Sequence, residues 1–389
     1  EQTPSWGTCN NYIDFYFDTT SLSAPLVIPF TSSFTETDST GYDLTVTWGE
    51  DNPEVFTVGN IEESLNNFAN NITTETISAL YPTKSDGIPS DSNYKVRLAI
   101  PDFPCKLEDI QDVVGETGPE FPSTLFTSPT KIKVKRGDSL IEFNCGNYEL
   151  LEEVDLSNAI LSNIEYLNFS QCTHLSSIVW PSEIDCTNID SFRTLFYGCN
   201  TLTEISLENF KNTKNVYDAT AMFENCINLT SVDLADFTGE NLLYSTSMFC
   251  GTNLSNIDGK KFNTRKIKNA DSMFAEMPNF RVFIFGDDWN FDNLESANYM
   301  FGFQNRPNSL PTRFIGTMVD AMGTLPKIKS LNGFFKNQVN IQYLGWRDNE
   351  PPTFENVTDM TEMYYGVNAV ERDILSHTFS KANTINLTK

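Results

Sequence analysis

The sequence predicts a mainly β protein, with a β-sandwich at residues 1–122, a right-handed solenoid of short parallel strands at 123–367 and a C-terminal cap at 368–389. Three observations lead to this division. A Met-Phe or related aromatic pair recurs through the later part of the chain, a Leu-x-x-Leu-x-Leu pattern accompanies each pair, and residues 1–122 show neither. A period of this length marks a solenoid, because one coil cannot bury its apolar face without neighbouring coils.

The N-terminal part is predicted to form a sandwich because its apolar segments are short and alternate with polar residues. Tyr12–Phe17, Tyr42–Trp48 and Tyr94–Ile100 are rich in β-forming residues, and the last two alternate strictly. Pro25–Phe30 is a short apolar run bounded by prolines. Several short strands separated by turn residues favour a β-sandwich. The segment 115–130, rich in Gly, Ser, Thr and Pro, is interpreted as a linker or loop.

Aromatic residues at a nearly constant spacing are the anchors of the repeat. They are Phe169, Phe196, Phe223, Phe249, Phe274, Phe301, Phe335 and Tyr364. Neighbouring anchors lie 25 to 29 residues apart (249 − 223 = 26, for example), except that Phe301 and Phe335 are 34 apart (335 − 301). The longer coil contains an insertion at Gln304–Leu331. Insertions in solenoids form loops on one face, which is often the functional face.

Each coil is predicted to contain one short strand. In Leu229, Val232 and Leu234 the last two apolar residues alternate with polar ones, which places the apolar side chains inward. Strands of successive coils would stack about 4.8 Å apart. Lys131–Arg136 is a basic strand, unusual in an acidic chain, and is predicted to lead into the first coil.

Eight cysteines are present, and three of them follow the repeat. Cys172, Cys199 and Cys226 each stand three residues after an anchor, which predicts a ladder of small buried thiols, one per coil. Stacked disulfides are the alternative. Three more, Cys9, Cys105 and Cys145, lie outside this ladder, and pairing among them stays open.

A family resemblance rests on these residues. The pattern Met-Phe-x-x-Cys-x-x-Leu-x-x-Val-Asp-Leu at Met222–Leu234 resembles the BspA-like leucine-rich repeats, about 26 residues long, of bacterial surface proteins of the Mycoplasma and Listeria lipoprotein type. In degenerate form the resemblance covers Leu151–Tyr365. The segment Tyr42–Glu50 resembles a PKD-like β-sandwich, although Glu50-Asp51 stands where that motif has Asp-Gly.

The resemblance implies a leucine-rich-repeat-like solenoid in a surface-exposed or secreted interaction protein, occasionally a phage or virion component. It implies no enzyme activity, cofactor or defined ligand. The chain starts at Glu1 without a signal sequence, which fits a mature exported protein or a trimmed chain.

Charge and composition exclude several functions. The net charge of −26 argues against nucleic-acid binding, which depends on Lys and Arg displacing phosphate counterions. No apolar run approaches the roughly 20 residues that span a bilayer, so membrane insertion is not expected. Two histidines, His174 and His377, are present without a nucleophile elbow, a Cys-x-x-Cys pair or a P-loop. We therefore expect no enzyme, and a turn role for His174.

Two polar motifs have a functional and a simpler interpretation. Asp288, Asn290 and Asp292 match the start of a calcium loop, but Asn293 stands at the sixth position and Tyr299 at the twelfth, so a polar turn is favoured over a weak calcium site. Six possible glycosylation acceptors occur in Asn-x-Ser/Thr: Asn71, Asn168, Asn228, Asn253, Asn356 and Asn386. Coincidence with the repeat is the favoured interpretation, and glycan attachment is the alternative in a secretory pathway.

The outward positions of the predicted strands form the candidate binding face. They are Glu204, Ser206, Ser231, Asp233, Asn256, Asp258, Val282, Ile284 and Tyr343. The simpler interpretation is a solvated sheet face; the functional one is a broad surface for a protein or glycan on another surface. We expect an extracellular or cell-surface protein that mediates adhesion-type contacts. The alternative is a structural or receptor-binding component of a virion or filament, which would self-associate.

Overall fold

The computed structural model describes residues 10–32, 42–49, 53–58, 78, 81–109, 127–235, 237–287, 289–305, 307, 322–339, 341–343, 354–367 and 369–371. The chain divides into two compact units, Glu1–Asn188 (unit 1) and Ile189–Lys389 (unit 2). The predicted boundary between residues 122 and 123 lies outside the described residues, as does the predicted cap apart from Ala369–Glu371. The predicted domain division therefore stays a prediction.

Unit 1 consists of short strands. They are β1 Tyr12–Phe17, β2 Leu26–Val27, β3 Phe30–Ser32, β4 Tyr42–Trp48, β5 Glu54–Val58, β6 Thr83–Lys84, β7 Tyr94–Ala99, β8 Cys105–Leu107, β9 Lys131–Arg136, β10 Leu140–Asn144, β11 Glu153–Ala159, β12 Tyr166–Asn168, β13 Ser177–Val179 and β14 Ile184–Asp185. A short 3-10 helix, Cys186–Asn188, follows β14. The strands predicted at Tyr12–Phe17, Tyr42–Trp48 and Lys131–Arg136 are confirmed with the same bounds.

Two main sheets form in unit 1. A seven-stranded sheet has the order β13-β11-β9-β1-β7-β4-β5, and a four-stranded sheet has the order β12-β10-β8-β3. In the larger sheet β9 pairs antiparallel with β1 and parallel with β11, so the solenoid-type parallel pairing begins at β9. In the smaller sheet β8 likewise pairs antiparallel with β3 and parallel with β10. The mainly β class is confirmed, while a PKD-like sandwich stays a prediction.

The outer face of the larger sheet explains why β9 is basic. Ile132 and Val134 are fully buried, so the lysines of β9 point to the other face, where β11 provides carboxylates. Lys131 Nζ lies 2.7 Å from Glu153 Oε1, and Lys133 Nζ lies 2.7 Å from Asp155 Oδ2. The positive charge of β9 is thus partly balanced by its neighbour.

Acid is expected to destabilise unit 1 through Asp155. Burial raises the pKa of this carboxyl, but hydrogen bonds from Lys133 and from the Ser157 hydroxyl and amide outweigh burial and lower the pKa to about 2. Because the folded pKa lies below the unfolded value of about 4, the stabilisation is present above pH ~4 and is lost as the pH falls toward 2. Since Lys133 is 36% exposed, the effect is limited to about 1 kcal/mol.

Urea unfolding of the wild type and of Asp155→Asn measures this effect. The variant lacks the charge at every pH, so the difference in unfolding free energy between the two proteins should shrink as the pH falls from about 5 to about 2. A difference that stays constant over this range would contradict the assignment.

Unit 2 contains the remaining strands, one for most coils. They are β15 Glu204–Ser206, β16 Phe210–Lys211, β17 Ser231–Asp233, β18 Asn256–Gly259, β19 Val282–Phe285, β20 Ile341–Tyr343 and β21 Ala369–Glu371. A 3-10 helix spans Thr213–Asn215. Parallel pairs form between β15 and β17, between β18 and β19, and between β20 and β21. The strands β15, β17, β18, β19 and β20 lie where the Leu-x-x-Leu-x-Leu pattern places them, so the parallel β-solenoid is confirmed.

The anchors form a continuous aromatic stack in unit 2. The rings of Phe223 and Phe249 have centroids 5.6 Å apart with an interplanar angle of 11°, and Phe249 and Phe274 follow at 5.7 Å and 8°. The stack runs from Phe196 through Phe301 and Phe335 to Tyr364. Coils spaced about 4.8 Å apart hold the rings nearly parallel but laterally offset, which is the favourable stacking geometry.

Around the anchors of unit 2, backbone N–H groups of one coil donate hydrogen bonds to backbone carbonyls of the next coil. The N–H groups of Ala221, Phe223 and Asn225 donate to the carbonyls of Thr246, Met248 and Cys250, at 2.8, 3.0 and 2.9 Å. This geometry places the residues two before and two after the anchor in the left-handed region, as at Ala221 (φ 56°) and Asn225 (φ 61°). The peptide groups that make these bonds are therefore aligned along the stack.

In several coils the residue three positions after the anchor donates a hydrogen bond to a backbone carbonyl. The Cys226 thiol donates to the carbonyl of Phe196 at 2.9 Å, and the Gln338 amide donates to the carbonyl of Phe301. Thr252 at the same position donates to the carbonyl of Phe249 in its own coil, at 2.8 Å. Cys172 at the same position donates to the carbonyl of Cys145 at 2.9 Å, whereas Met277 fills the position with a buried thioether that has no hydrogen to donate. Cysteine suits this position because it is small enough for a tight core and can still donate to a backbone carbonyl.

The predicted thiol ladder is confirmed. Seven cysteines are buried as thiols: Cys105, Cys145, Cys172, Cys186, Cys199, Cys226 and Cys250. Burial raises the pKa of the Cys105, Cys226 and Cys250 thiols to about 12, so little reactive thiolate forms near neutral pH. No disulfide joins Cys105 to Cys145 in the structure.

Thiol labelling is expected to separate the folded from the unfolded state. A Cys9→Ser variant should react with no equivalents of DTNB while folded, and with all seven buried thiols after denaturation in guanidinium. Rapid labelling of the folded variant would contradict thiol burial. Fewer than seven reactive thiols after denaturation would instead indicate stacked disulfides.

Candidate interaction surface

The predicted outward positions do lie outward wherever their side chains are described. Glu204, Ser231, Asp233, Asn256 and Asp258 are exposed, and Ile284 is 39% exposed. Alternating residues between them, such as Val232 and Ile257, are buried. The side chains of Val282 and Tyr343 lie outside the described residues, although their strands are present. The role of this strip in binding stays a prediction.

Strand pairing puts these side chains in register. Glu204 is the partner of Ser231, and Ser206 is the partner of Asp233. In the next pair, Asp258 is the partner of Ile284. The strip therefore presents two columns of mostly polar side chains, repeated at the spacing of paired strands.

The second column also ends the strands. The Oδ1 atoms of Asp233 and Asp258 accept hydrogen bonds from the N–H groups of Ala235 and Lys260, at 2.9 and 3.1 Å. Ser206 Oγ accepts the N–H of Glu208 in the same way, at 3.2 Å. These short loops are turns closed by the side chain. The other carboxylate oxygen of each aspartate can accept further hydrogen bonds.

A second ladder, which was not predicted, runs beside the aromatic stack. Its residues stand five positions before each anchor of unit 2 and form consecutive parallel bridges: Ser191, Asp218, Tyr244, Asn269, Ser296, Ser330 and Asp359. Six of the seven are Ser, Asp or Asn. The signal was present in the sequence as a polar residue at a fixed offset from the anchor.

Side chains two positions after ladder residues accept hydrogen bonds from the next coil, both from its ladder serine and from its backbone. Asp271 Oδ1 accepts hydrogen bonds from the Ser296 hydroxyl and from the Asn298 N–H, both at 2.6 Å. Asn298 Oδ1 accepts the same pair of bonds from Ser330 and Asn332, at 2.5 and 2.9 Å. These bonds link successive coils, and they explain why serine occurs in the ladder and why Asp or Asn stands two positions after a ladder residue.

The calcium motif lies in a turn. Asp288 is outside the described residues, while Asn290 Oδ1 accepts the N–H of Asp292 at 2.8 Å. The backbone of Asn290 also exchanges two hydrogen bonds with the Thr264 hydroxyl. Within the described ranges, no group of three or more His, Cys, Asp or Glu side chains converges to hold a metal ion. These contacts favour the polar-turn interpretation.

Three asparagines of the Asn-x-Ser/Thr sequences donate hydrogen bonds from their side-chain amides to other residues of the chain. Asn168 is buried and donates to Asn144 Oδ1 at 3.1 Å. Asn228 and Asn356 are exposed and donate to the carbonyls of Asn200 and Pro326, at 2.7 and 2.8 Å.

Asn253 accepts a hydrogen bond from the amide of Asn279, whereas Asn71 and Asn386 lie outside the described residues. Glycosylation stays a prediction. His174, predicted to lie in a turn, is exposed and its Nδ1 lies 2.6 Å from the carbonyl of Glu149 in the preceding coil.

Comparison with known proteins supports the repeat architecture. Residues 166–285 match a family described as "Mycoplasma protein of unknown function, DUF285". This segment contains β12 to β19, and therefore most of the candidate face. A search of the curated proteins finds no match. The chain is thus similar over part of its length to a family whose description names no activity.

Within the described segments, no helix combines the length and apolar character needed to span a membrane.

Proposed function

We propose that this chain is a non-enzymatic, exported surface protein whose solenoid binds a protein or glycan on another surface. The observation that supports the proposal is the strip of exposed side chains on β15, β17 and β18, in register between β15 and β17. Solenoids use such extended faces for binding, because neighbouring coils repeat the same contact. The resemblance to BspA-like repeats of surface proteins also supports this function.

The charge of the strip indicates how it would bind. Glu204, Asp233 and Asp258 are exposed carboxylates on three different strands, and Ile284 adds a partly exposed apolar side chain. Lys260 Nζ lies 3.4 Å from Asp258 Oδ2 and partly balances that carboxylate, so the negative charge of the strip comes mainly from Glu204 and Asp233. Such a face suits a partner with basic or hydrogen-bond-donating groups, and complementary charges would speed the encounter.

Charge reversal on the strip tests the proposal. The variant Glu204→Lys, Asp233→Lys and Asp258→Lys is compared with the wild type on an array of purified extracellular proteins and glycans. We expect at least one ligand whose binding weakens by about tenfold or more.

A matched control has the same change in net charge away from the strip. Glu240, Asp292 and Glu355 are exposed acids outside the strands, and reversing these three should leave binding unchanged. Circular dichroism shows whether each variant is folded. Equal loss in both variants, or a wild type that binds nothing on the array, would overturn the proposal. If light scattering shows that the wild type forms a regular oligomer, the alternative function as a component of a particle or filament is favoured.

A further inference from the structure

The outer face of the seven-stranded sheet in unit 1 concentrates positive charge in an acidic chain. On the adjacent strands β7, β1 and β9, alternating residues point outward, and five of them are basic: Lys95, Arg97, Lys131, Lys133 and Lys135 (the basic patch). One carboxylate, Asp14, lies among them on these three strands. The five cations and Asp14 give these three strands a net charge of +4 (5 − 1), and the two acids of β11 that pair with Lys131 and Lys133 reduce it to +2 (4 − 2), in a protein whose net charge is −26.

Most of these cations are already engaged with acids. Arg97 binds both carboxylate oxygens of Asp14, at 2.6 and 2.7 Å, while Lys131 and Lys133 pair with acids of β11. Within the described part of the chain, no salt bridge involves Lys95 or Lys135. These two lysines lie at opposite corners of the patch and have charge available for an external partner.

Tyr16 lies between two of the lysines. The strand registers make Lys95 and Lys131 the direct partners of Tyr16 on either side. The other tyrosine of the face, Tyr12, is covered, because the Arg97 guanidinium lies 3.6 Å from its ring centroid. Lys131 Nζ is 6.0 Å from the centroid of Tyr16, so no cation covers this partly exposed ring as closely as Arg97 covers Tyr12.

We propose that the basic patch binds an acidic glycan, that is, a saccharide chain with carboxylate or sulfate groups. The apolar face of a sugar ring packs on Tyr16, and the anionic groups of the chain contact Lys95 and Lys135. This is a second surface, in the other unit from the proposed solenoid face, and it goes beyond the function proposed above.

Other polyanions fit the patch less well. Duplex DNA has one charge per about 1.7 Å, and repulsion from a protein of net charge −26 opposes the few phosphates that a patch three strands wide can contact. A second copy of this acidic chain is repelled for the same reason. A single saccharide chain is narrower than a duplex, so it can lie over the patch and experiences mainly the local field, since screening acts within about 8 Å at physiological ionic strength.

Binding to immobilised glycans tests the proposal. The wild type should bind heparin, as the sulfated probe, or polygalacturonate, as the carboxylated probe, and the affinity should fall as salt is added. It should not bind neutral dextran. Lys95→Ala with Lys135→Ala should weaken binding by about tenfold or more, because both lysines lose their contacts with the anionic groups.

Replacing Lys95 and Lys135 with alanine is expected to leave unit 1 folded. Neither Lys95 nor Lys135 has an acidic partner in the described residues, so their removal leaves no buried acid uncompensated. Lys214→Ala with Lys268→Ala, two exposed lysines of unit 2, removes the same charge elsewhere and should leave binding unchanged.

Three results would overturn the proposal: no wild-type binding to either acidic glycan at low salt, equal loss in both double variants, or tighter binding to duplex DNA. Because the solenoid variants leave the patch intact, failure here and failure of the solenoid proposal are distinguishable.

Discussion

Replacing Phe249 with alanine is expected to lower the free energy of unfolding of unit 2 by about 3–5 kcal/mol. Phe249 is fully buried and stacks on Phe223 on one side and Phe274 on the other. The substitution leaves a cavity in the middle of the stack and removes two aromatic contacts, each worth about 0.5–1.5 kcal/mol beyond burial. In a solenoid each coil is stabilised by its neighbours, so the loss affects both interfaces.

Two further variants show how much of this loss comes from the cavity, how much from the aromatic contacts, and how much follows from removing any aromatic ring. Phe249→Leu keeps most of the apolar volume and should cost about 1–2 kcal/mol. Tyr217→Ala removes an aromatic ring that is 41% exposed and should change stability by only about 0.5 kcal/mol. Urea unfolding followed by circular dichroism gives all three values. Equal effects of Phe249→Ala and Tyr217→Ala would exclude a continuous stack as the core of unit 2.

The strands and anchors were predictable because their signals are local. Val232 and Asp233 differ in polarity at adjacent positions, and that alternation alone determines which side chain points inward. The spacing of Phe223, Phe249 and Phe274 predicts that equivalent residues stack. The composition of Lys131–Arg136 identified the strand as unusual. Its pairing with β1 was not predictable, because Tyr16 and Lys131 are 115 positions apart (131 − 16).

The left-handed backbone around each anchor could not be predicted from residue type. Thr194, Ala221, Ser247 and Ser272 occupy this conformation at φ 53–56°, although none is glycine. Such residues cost about 1–2 kcal/mol each when isolated. Inter-coil hydrogen bonds such as Ala221 N–H to Thr246 carbonyl offset that cost. The conformation is therefore a property of stacked coils, which a single coil sequence does not encode.

The candidate face was predictable in position but not in chemistry. Glu204 and Ser231 are exposed and adjacent in register, so packing does not restrict their identity. What they bind depends on a partner outside the chain. The basic patch is a different case, since its arrangement depends on β7, β1 and β9 meeting across long stretches of sequence, and only the fold brings Lys95, Tyr16 and Lys131 together.

Replacing Gly286 with alanine is expected to destabilise unit 2 by about 3 kcal/mol. Gly286 follows β19, where the register with β18 places it beside Lys260. A Cβ atom added at Gly286 would lie 2.0 Å from the carbonyl oxygen of Lys260 and 2.9 Å from its carbonyl carbon. These are backbone atoms, so no side-chain rotation relieves the clash and the two coils must separate locally.

Gly323→Ala provides the matched control within the same unit. Gly323 has φ +84°, but a Cβ atom there has no neighbour closer than 3.5 Å, so the substitution adds backbone strain without a clash. Strain alone is expected to cost about 1–2 kcal/mol, less than Gly286→Ala. Thermal unfolding of both variants measures the difference. A larger loss for Gly323→Ala would contradict the prediction. It would mean that backbone conformation matters more for these glycines than the close approach of β18 and β19.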